Sequence, residues 1–251
     1  MTSGKPIKSV VRALDIIETV AAEPSEVKLA DLARKMNLKP PTLHQFLRTL
    51  VSKGWLEANG KPSRYRLGQE PLRLLHRESR RMFKRHAGEI LLRLEELYPA
   101  ATFTLGEVSG GEVYIQLRVS PVNPGNVEEN TRRTLHPYGS ATPILFQAMW
   151  TEEERELYNW NHPFWENGGA EIWKSIENFE NYLEKVRHQG YVWLELEGEK
   201  IIKIAVPVVS ASGHIQAALG TSAPVRELSG ESKRNELLCA MRQSAGELSE
   251  L

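Results

Sequence analysis

The stretch "LKPPTLHQFLRTLVSKGWLE", residues 38–57, admits few folds. Proline fits the first turn of a helix, where its missing N–H costs no hydrogen bond, so Pro40 and Pro41 open a helix rather than interrupt one. Leu43, Phe46, Leu47 and Leu50 then recur at helical steps as one apolar face, and Gly54 ends the helix before Trp55 and Leu56 begin a strand. Thr42, His44, Gln45 and Arg48 lie off that face near the leading end, next to Pro41, which counts as a DNA-contact position by place alone. Hydrogen-bonding side chains kept clear of a core in this way suit base edges and phosphates.

The flanking residues complete the arrangement. From Ser9, the apolar residues Val10, Leu14, Ile17 and Val20 predict an amphipathic helix that stops near "AEPSE". Leu29, Leu32, Ala33 and Met36 mark a short second helix, which Asn37 can end in a left-handed backbone. Two short helices about three residues apart, the second entered through polar residues, read as a helix-turn-helix. Beyond Leu56, "NGKPS" turns and "RYRLG" returns as a hairpin wing. Lys61 and Arg64 are then available to phosphate, as are Lys8 and Arg12 on the first helix, while Tyr65 and Leu67 are expected to pack inward. A long connecting helix follows from about Pro71 to Tyr98, with Leu72, Leu75, Met82, Ile90, Leu91, Leu94 and Leu97 at helical spacing. Its middle, Arg77 to Arg85, is too basic for burial.

Charge divides the chain in the same place. Lys and Arg together number 32, as do Asp and Glu, yet residues 1–86 hold 18 basic against 8 acidic residues, and the remainder 14 against 24. A basic first part suits a polyanion such as double-stranded DNA, which the acidic remainder would repel. With 41% hydrophobic and 25% charged residues, the composition is that of a globular protein. No run approaches the roughly 18 apolar residues of a membrane span, and "MTSGKPIKSV" lacks the apolar core of a secretory signal, so a cytoplasmic location without a membrane partner is expected. Cys239, the single cysteine, excludes disulfides within the chain and Cys-pair zinc sites, and is expected to be a small buried packing residue.

In the second half, "TFTLGEV" and "EVYIQLRV" alternate as strands around "SGG", "IIKIAVPVVS" and "IQAALGTSA" pair around "ASG", and "YVWLEL" adds a strand. Helices are expected at Ala141–Trp150, Thr151–Asn159, about Ser175–Gln189 and about Ser229–Leu248. Strands and helices without a repeated βαβ rhythm predict an α+β domain with a central antiparallel sheet. The histidines show no metal-like pairing, and no nucleophile elbow, P-loop or GxGxxG occurs, so no catalytic residue, metal or cofactor is expected. Glu195, Glu197 and Glu199 alternate as the solvated face of a strand. A binding pocket is the better expectation. The competing readings are an enzyme with a helical oligomerisation module and a protein-interaction adaptor.

The ordered segments "SVVRALDIIETV", "LADLARKMNLKPPTLHQFLRTLVSKGWLE", "YRLG", "TLHPYGSATPILFQAM", "VRHQGYV", "IAVPVV" and "AALGTSAP" resemble the IclR family of bacterial transcription regulators over nearly the whole chain. The resemblance implies a winged helix-turn-helix DNA-binding domain (1–69), a linker helix (70–98) and a GAF-like effector-binding domain (99–251). It further implies dimers, or dimers of dimers, on palindromic operator DNA. Pro41 and Gln45 stand where the family commonly has serine and arginine, which leaves the operator sequence open. The family's effector pocket falls on His136, Tyr138, Gly139 and Ser140, on Leu194 and Leu196, on Lys203, and on Gly220 and Ser222. Here "LELE" replaces the usual "DxEE", Lys203 the usual cysteine and Gly220 the first serine of "SxS". An acid lost and an ammonium gained favour an anion. The expected effector is a small organic acid larger than pyruvate, with aromatic acids included because Trp193, Tyr138 and Phe103 lie nearby in the pattern.

Overall fold

A computed structural model describes residues 5–129 and 134–251, and the chain divides into two compact units that part between Arg81 and Met82. The first contains α1 (Lys8–Ala21), β1 (Val27–Lys28), α2 (Leu29–Lys35), α3 (Pro40–Ser52), β2 (Leu56–Asn59) and β3 (Arg64–Leu67). β3 pairs antiparallel with β2 on one side and β1 on the other. α2 and α3 stop where the sequence places residues that tolerate a left-handed backbone: Asn37 has φ 49° and Gly54 has φ 71°. Ile16, Val20, Leu32, Leu43, Leu47, Leu50, Leu56 and Tyr65 form the core of this unit. Gly68 lets the returning wing meet the end of α3, since a Cβ there would lie 2.1 Å from the Gly54 carbonyl oxygen.

Two expectations fail in this unit. Val10 and Leu14 are 53% and 51% exposed, because α1 turns Ile16, together with the expected Val20, to the core. Leu67 is also exposed; it stands opposite Leu56 at the last pairing of the ladder, at the rim of a small core, and only Tyr65 turns inward. The helix α4 (Glu70–Leu97) opens in the first unit and ends in the second. Arg77, Arg80, Arg81 and Arg85 are exposed along it. Leu72, Leu75 and Leu97 are exposed as well, against expectation, as is Met82 within the basic middle, whereas Ala87, Ile90, Leu91 and Leu94 are buried. Periodicity says which residues share a helix face; it does not say along how much of its length that face meets a partner.

The second unit is built on a six-stranded antiparallel sheet in the order β6 (Glu128–Glu129), β5 (Glu112–Val119), β4 (Thr102–Ser109), β9 (Ile215–Pro224), β8 (Ile201–Val209) and β7 (Val192–Glu195). Its helices are α5 (Ala141–Met149), α6 (Glu152–Asn161), α7 (Gly169–Trp173), α8 (Ile176–Gln189) and α9 (Glu231–Ser249). Alternation along the strands builds a core on each face. On one, Phe103, Leu105, Ile202, Ile204 and Val206 pack with Leu91 and Leu94 of α4 and Leu237 and Met241 of α9. On the other, Val113, Leu194 and Ala205 pack with Leu145 and Phe146 of α5 and Phe179 and Leu183 of α8. Thr151 starts α6 with a reciprocal capping box to Glu154, and Ser175 caps α8 through the Asn178 amide. Glu197 and Glu199 lie beyond the end of β7 rather than on a strand. Cys239 is exposed, a correction to the expected buried cysteine, because Leu237 and Met241 take the inner face of α9.

The first turn of α5 lies hard against the sheet. A Cβ on Gly106, where β4 shifts its register against β5, would stand 2.5 Å from Thr142 Cγ2. Gly106→Ala should therefore cost about 1–3 kcal/mol of stability through overpacking. Adding Thr142→Ser, which removes that methyl, should restore most of the loss. Urea denaturation midpoints of the two variants check this, and an equally destabilised double variant would show that the strain lies elsewhere.

Candidate functional site

At 100° per residue, the buried stripe Leu43, Leu47 and Leu50 leaves Pro41, Gln45 and Arg48 on the opposite side of α3. All three are exposed, as is His44 on one flank; Thr42, on the other flank, is half-buried. Lys8 and Arg12 of α1 and Lys61 and Arg64 of the wing are exposed too. Gln45 additionally rims a groove of about 470 Å³ whose walls include Val10, Leu14 and Ile17 of α1 and Phe46 and Thr49 of α3. The neighbouring wing cation Arg66 is occupied by Glu57 at 2.8 Å.

In the second unit, a cavity of about 330 Å³ opens between the sheet and the first turn of α5. Of the nine residues expected to bind an effector, Ser140, Lys203, Gly220 and Ser222 line it. Lys203 Nζ donates to the Gly139 carbonyl at 3.0 Å and pairs with Glu199 at 2.8 Å. That carbonyl belongs to a loop shaped by His136, whose Nδ1 accepts the amide hydrogens of Gly139 at 2.9 Å and Tyr138 at 3.2 Å. His136 and Gly139 thus serve the cavity through Lys203 rather than by lining it.

The three aromatic residues of the expected pattern do not line this cavity. Tyr138 points into the core on the α5 side, donates its hydroxyl to the His162 carbonyl at 2.5 Å and meets Phe164 and Phe179 edge-on at 5.2 Å each. Leu194 is buried in that same core and Leu196 packs against it. Phe103 and Trp193 belong to the opposite face of the sheet, where strand alternation sends them. In their place the lining has hydroxyls and a second cation that sequence reasoning missed: Thr102, Thr104, Thr142 and Arg118, with Ile115 and Leu135. Arg118 is held by Glu128 at 3.0 Å. The alternation of Thr102 and Thr104 with Phe103 and Leu105 is visible in the sequence, but only register shows that Arg118, Thr104 and Gly220 stand in one row across the sheet.

Gly220 opens the floor of the cavity. A Cβ there would sit 2.8 Å from both Thr104 Oγ1 and Thr142 Oγ1, so these two hydroxyls converge on the space the glycine leaves. The first-turn amides of a helix have no partner within it. Ser140 makes no side-chain cap to those of α5, whose Ala141 and Thr142 border the cavity. Two cations, a cluster of hydroxyls and a helix N-terminus together form a surface for a polar anion.

Comparison with known proteins covers both units. The IclR helix-turn-helix domain family matches residues 9–60, and the family described as bacterial transcriptional regulator IclR C-terminal matches residues 84–250. Among curated relatives, the HTH-type transcriptional regulator XynR of Escherichia coli is 27% identical over 218 residues, covering 86% of each chain. The crystal structure of the Thermotoga maritima IclR superposes with a TM-score of 0.53 at 20% identity, covering 97% of this chain and 98% of that one. An IclR homologue from Microbacterium hydrocarbonoxydans, crystallised with 4-hydroxybenzoate, gives 0.52 at 20% identity, covering 96% and 98%.

Burial raises the Tyr138 phenol to about 12, with Glu180 adding to the effect, and burial likewise raises Tyr182 to about 12. The folded state therefore holds these protons more tightly than the unfolded chain, whose tyrosines ionise near 10. The resulting stability is complete below about pH 10 and is lost as pH rises through about 12. An ultraviolet absorbance titration should show a late tyrosinate step that coincides with unfolding, and Tyr138→Phe should reduce its amplitude. Ionisation of every tyrosine near pH 10, with the fold intact, would contradict the burial of these phenols.

Proposed function

The chain belongs to the IclR family of bacterial transcriptional regulators, and from that premise we propose that it binds a palindromic operator as a symmetric dimer, or a dimer of dimers, under control of a small organic acid. The observation that carries the DNA part is α3: Gln45 and Arg48 project opposite its buried stripe, from a helix that follows α2 in a helix-turn-helix and precedes a wing. In this reading α3 enters the major groove, with Thr42, His44, Gln45 and Arg48 carrying base discrimination and Pro41 beside them at the DNA face. Lys8, Arg12, Lys61 and Arg64 supply salt-dependent phosphate affinity. The exposed apolar residues Ile7, Val10 and Leu14 of the first unit support a second copy as partner. Among the described residues, no helix is long and apolar enough to cross a membrane.

Lys203 and Arg118 on the wall of one cavity support an organic acid as effector. Its binding shifts the regulator between two populations by its differential affinity for them, and α4, which runs from one unit into the other, is the element through which the spacing of recognition helices changes. No catalytic step enters this reading, in keeping with a family of regulators.

An operator selection from random duplexes with the purified full chain tests the whole. A palindromic site should emerge. Gln45→Ala or Arg48→Ala should relax base preference at a position of each half-site, at a cost of about 1–3 kcal/mol. Arg64→Ala should weaken all duplexes alike and reduce the salt slope by about 1. Recovery of no preferred duplex would remove the reading, and an unchanged salt slope in Arg64→Ala would remove the wing from the interface.

A further inference from the structure

The two cations of the cavity lie on different strands, and their separation bears on what the cavity holds. Arg118 of β5 stands in a row with Thr104 of β4, Gly220 of β9 and Ala205 of β8, two residues from Lys203. Arg118 and Lys203 are thus three strand spacings apart across the sheet, about 14 Å, and about 7 Å apart along it. Both residues line the one cavity, so their long side chains can close on a ligand held between them, with room for a chain of about four carbons between two carboxylates. Between the cations stand the hydroxyl-bearing residues Thr102, Thr104, Thr142 and Ser222, two of whose hydroxyls converge above Gly220. Each cation already holds a carboxylate of the chain itself, Glu128 on Arg118 and Glu199 on Lys203.

We propose that the cavity is built for a hydroxylated dicarboxylate of about six carbons, one carboxylate replacing Glu128 on Arg118 and the other replacing Glu199 on Lys203. This rests on the reading of the cavity as the effector site and names the class of acid it takes. Glu128 and Glu199 are stand-ins that show what each cation accepts. They neutralise the cavity when it is empty of ligand, so neither ammonium nor guanidinium is left without a counter-charge. The threonine and serine hydroxyls, which both donate and accept, match ligand hydroxyls where an aromatic ring would leave them unsatisfied. Exchange of two internal carboxylates for two of the ligand's also frees Glu128 on the edge strand β6 and Glu199 in the turn before β8, a rearrangement that only a ligand with both charges produces at both ends.

Calorimetric titration of the full chain with D-glucarate, D-gluconate, D-glucitol and adipate tests each component: both charges with hydroxyls, one charge, none, and both charges without hydroxyls. D-Glucarate should bind about tenfold or more tighter than any of the other three. Arg118→Gln should abolish the advantage of glucarate over gluconate, and Glu128→Gln, which removes the competing internal charge, should strengthen glucarate binding. Gluconate or glucitol binding as tightly as glucarate, or an undiminished glucarate preference in Arg118→Gln, would overturn the diacid assignment. If 4-hydroxybenzoate or gluconate binds and Lys203→Met abolishes it, while glucarate shows no preference, the effector cavity stands and only the diacid falls. If no acid of this set binds, both fall, and the operator selection still decides the DNA reading separately.

Discussion

The approach of α5 to the sheet governs the second unit. Thr142 in its first turn reaches the strands only because Gly106 and Gly220 present no side chain to it; a Cβ at either position would lie within 3 Å of a Thr142 atom. With the helix at that distance, its N-terminus opens beside Lys203 and Ser222. Further along, Leu145 and Phe146 fill the core on that face. The same close packing that stabilises the domain therefore shapes the site. A serine at position 220, as the family's pattern would place there, would need Thr104 and Thr142 to move, so this glycine is a choice about the cavity as well as about the fold.

Polar groups around the cavity are placed by their neighbours. Lys203 is fixed by the Gly139 carbonyl, that carbonyl by the loop His136 folds, and the loop by Tyr138, whose ring is locked among Phe164 and Phe179. Removing the Tyr138 hydroxyl would thus be felt at Lys203 through packing rather than contact. Arg118 is positioned differently, by its place on β5 and by Glu128 on the edge strand. One cation hangs on a loop and the other on the sheet.

The first unit depends on a smaller core, and its economy lies in short elements closed by specific backbone positions. Asn37 and Gly54 stop α2 and α3, and Gly68 brings the wing back onto the end of α3. Every side chain assigned to base discrimination is carried on α3, whose orientation follows from Leu43 and Leu47, both fully buried. A loss of either leucine would misplace the exposed polar face of α3, at a cost of about 2–5 kcal/mol in stability.

Local chemistry made much of this legible from residues alone. Prolines at 40 and 41, glycines at 54, 110 and 111, the helical stretch from Thr151 and the alternation of β4, β5, β8 and β9 place most elements, because each signal is local in the chain. β1, β6 and α7 are too short to carry a period that the sequence would show. The exposure of Val10, Leu14, Leu72 and Leu75 was also beyond reach, since whether an apolar face finds a cover depends on what folds against it. The sequence by itself determined the order of elements, the division of charge and the polar face of α3. Tertiary structure alone decided which strands lie side by side, and hence that Arg118, Thr104 and Gly220 share a row while Phe103 and Trp193 face away. The physical reason is that hydrogen-bond register joins residues far apart in the chain, and a shift of one position would turn every side chain of a strand to the other face.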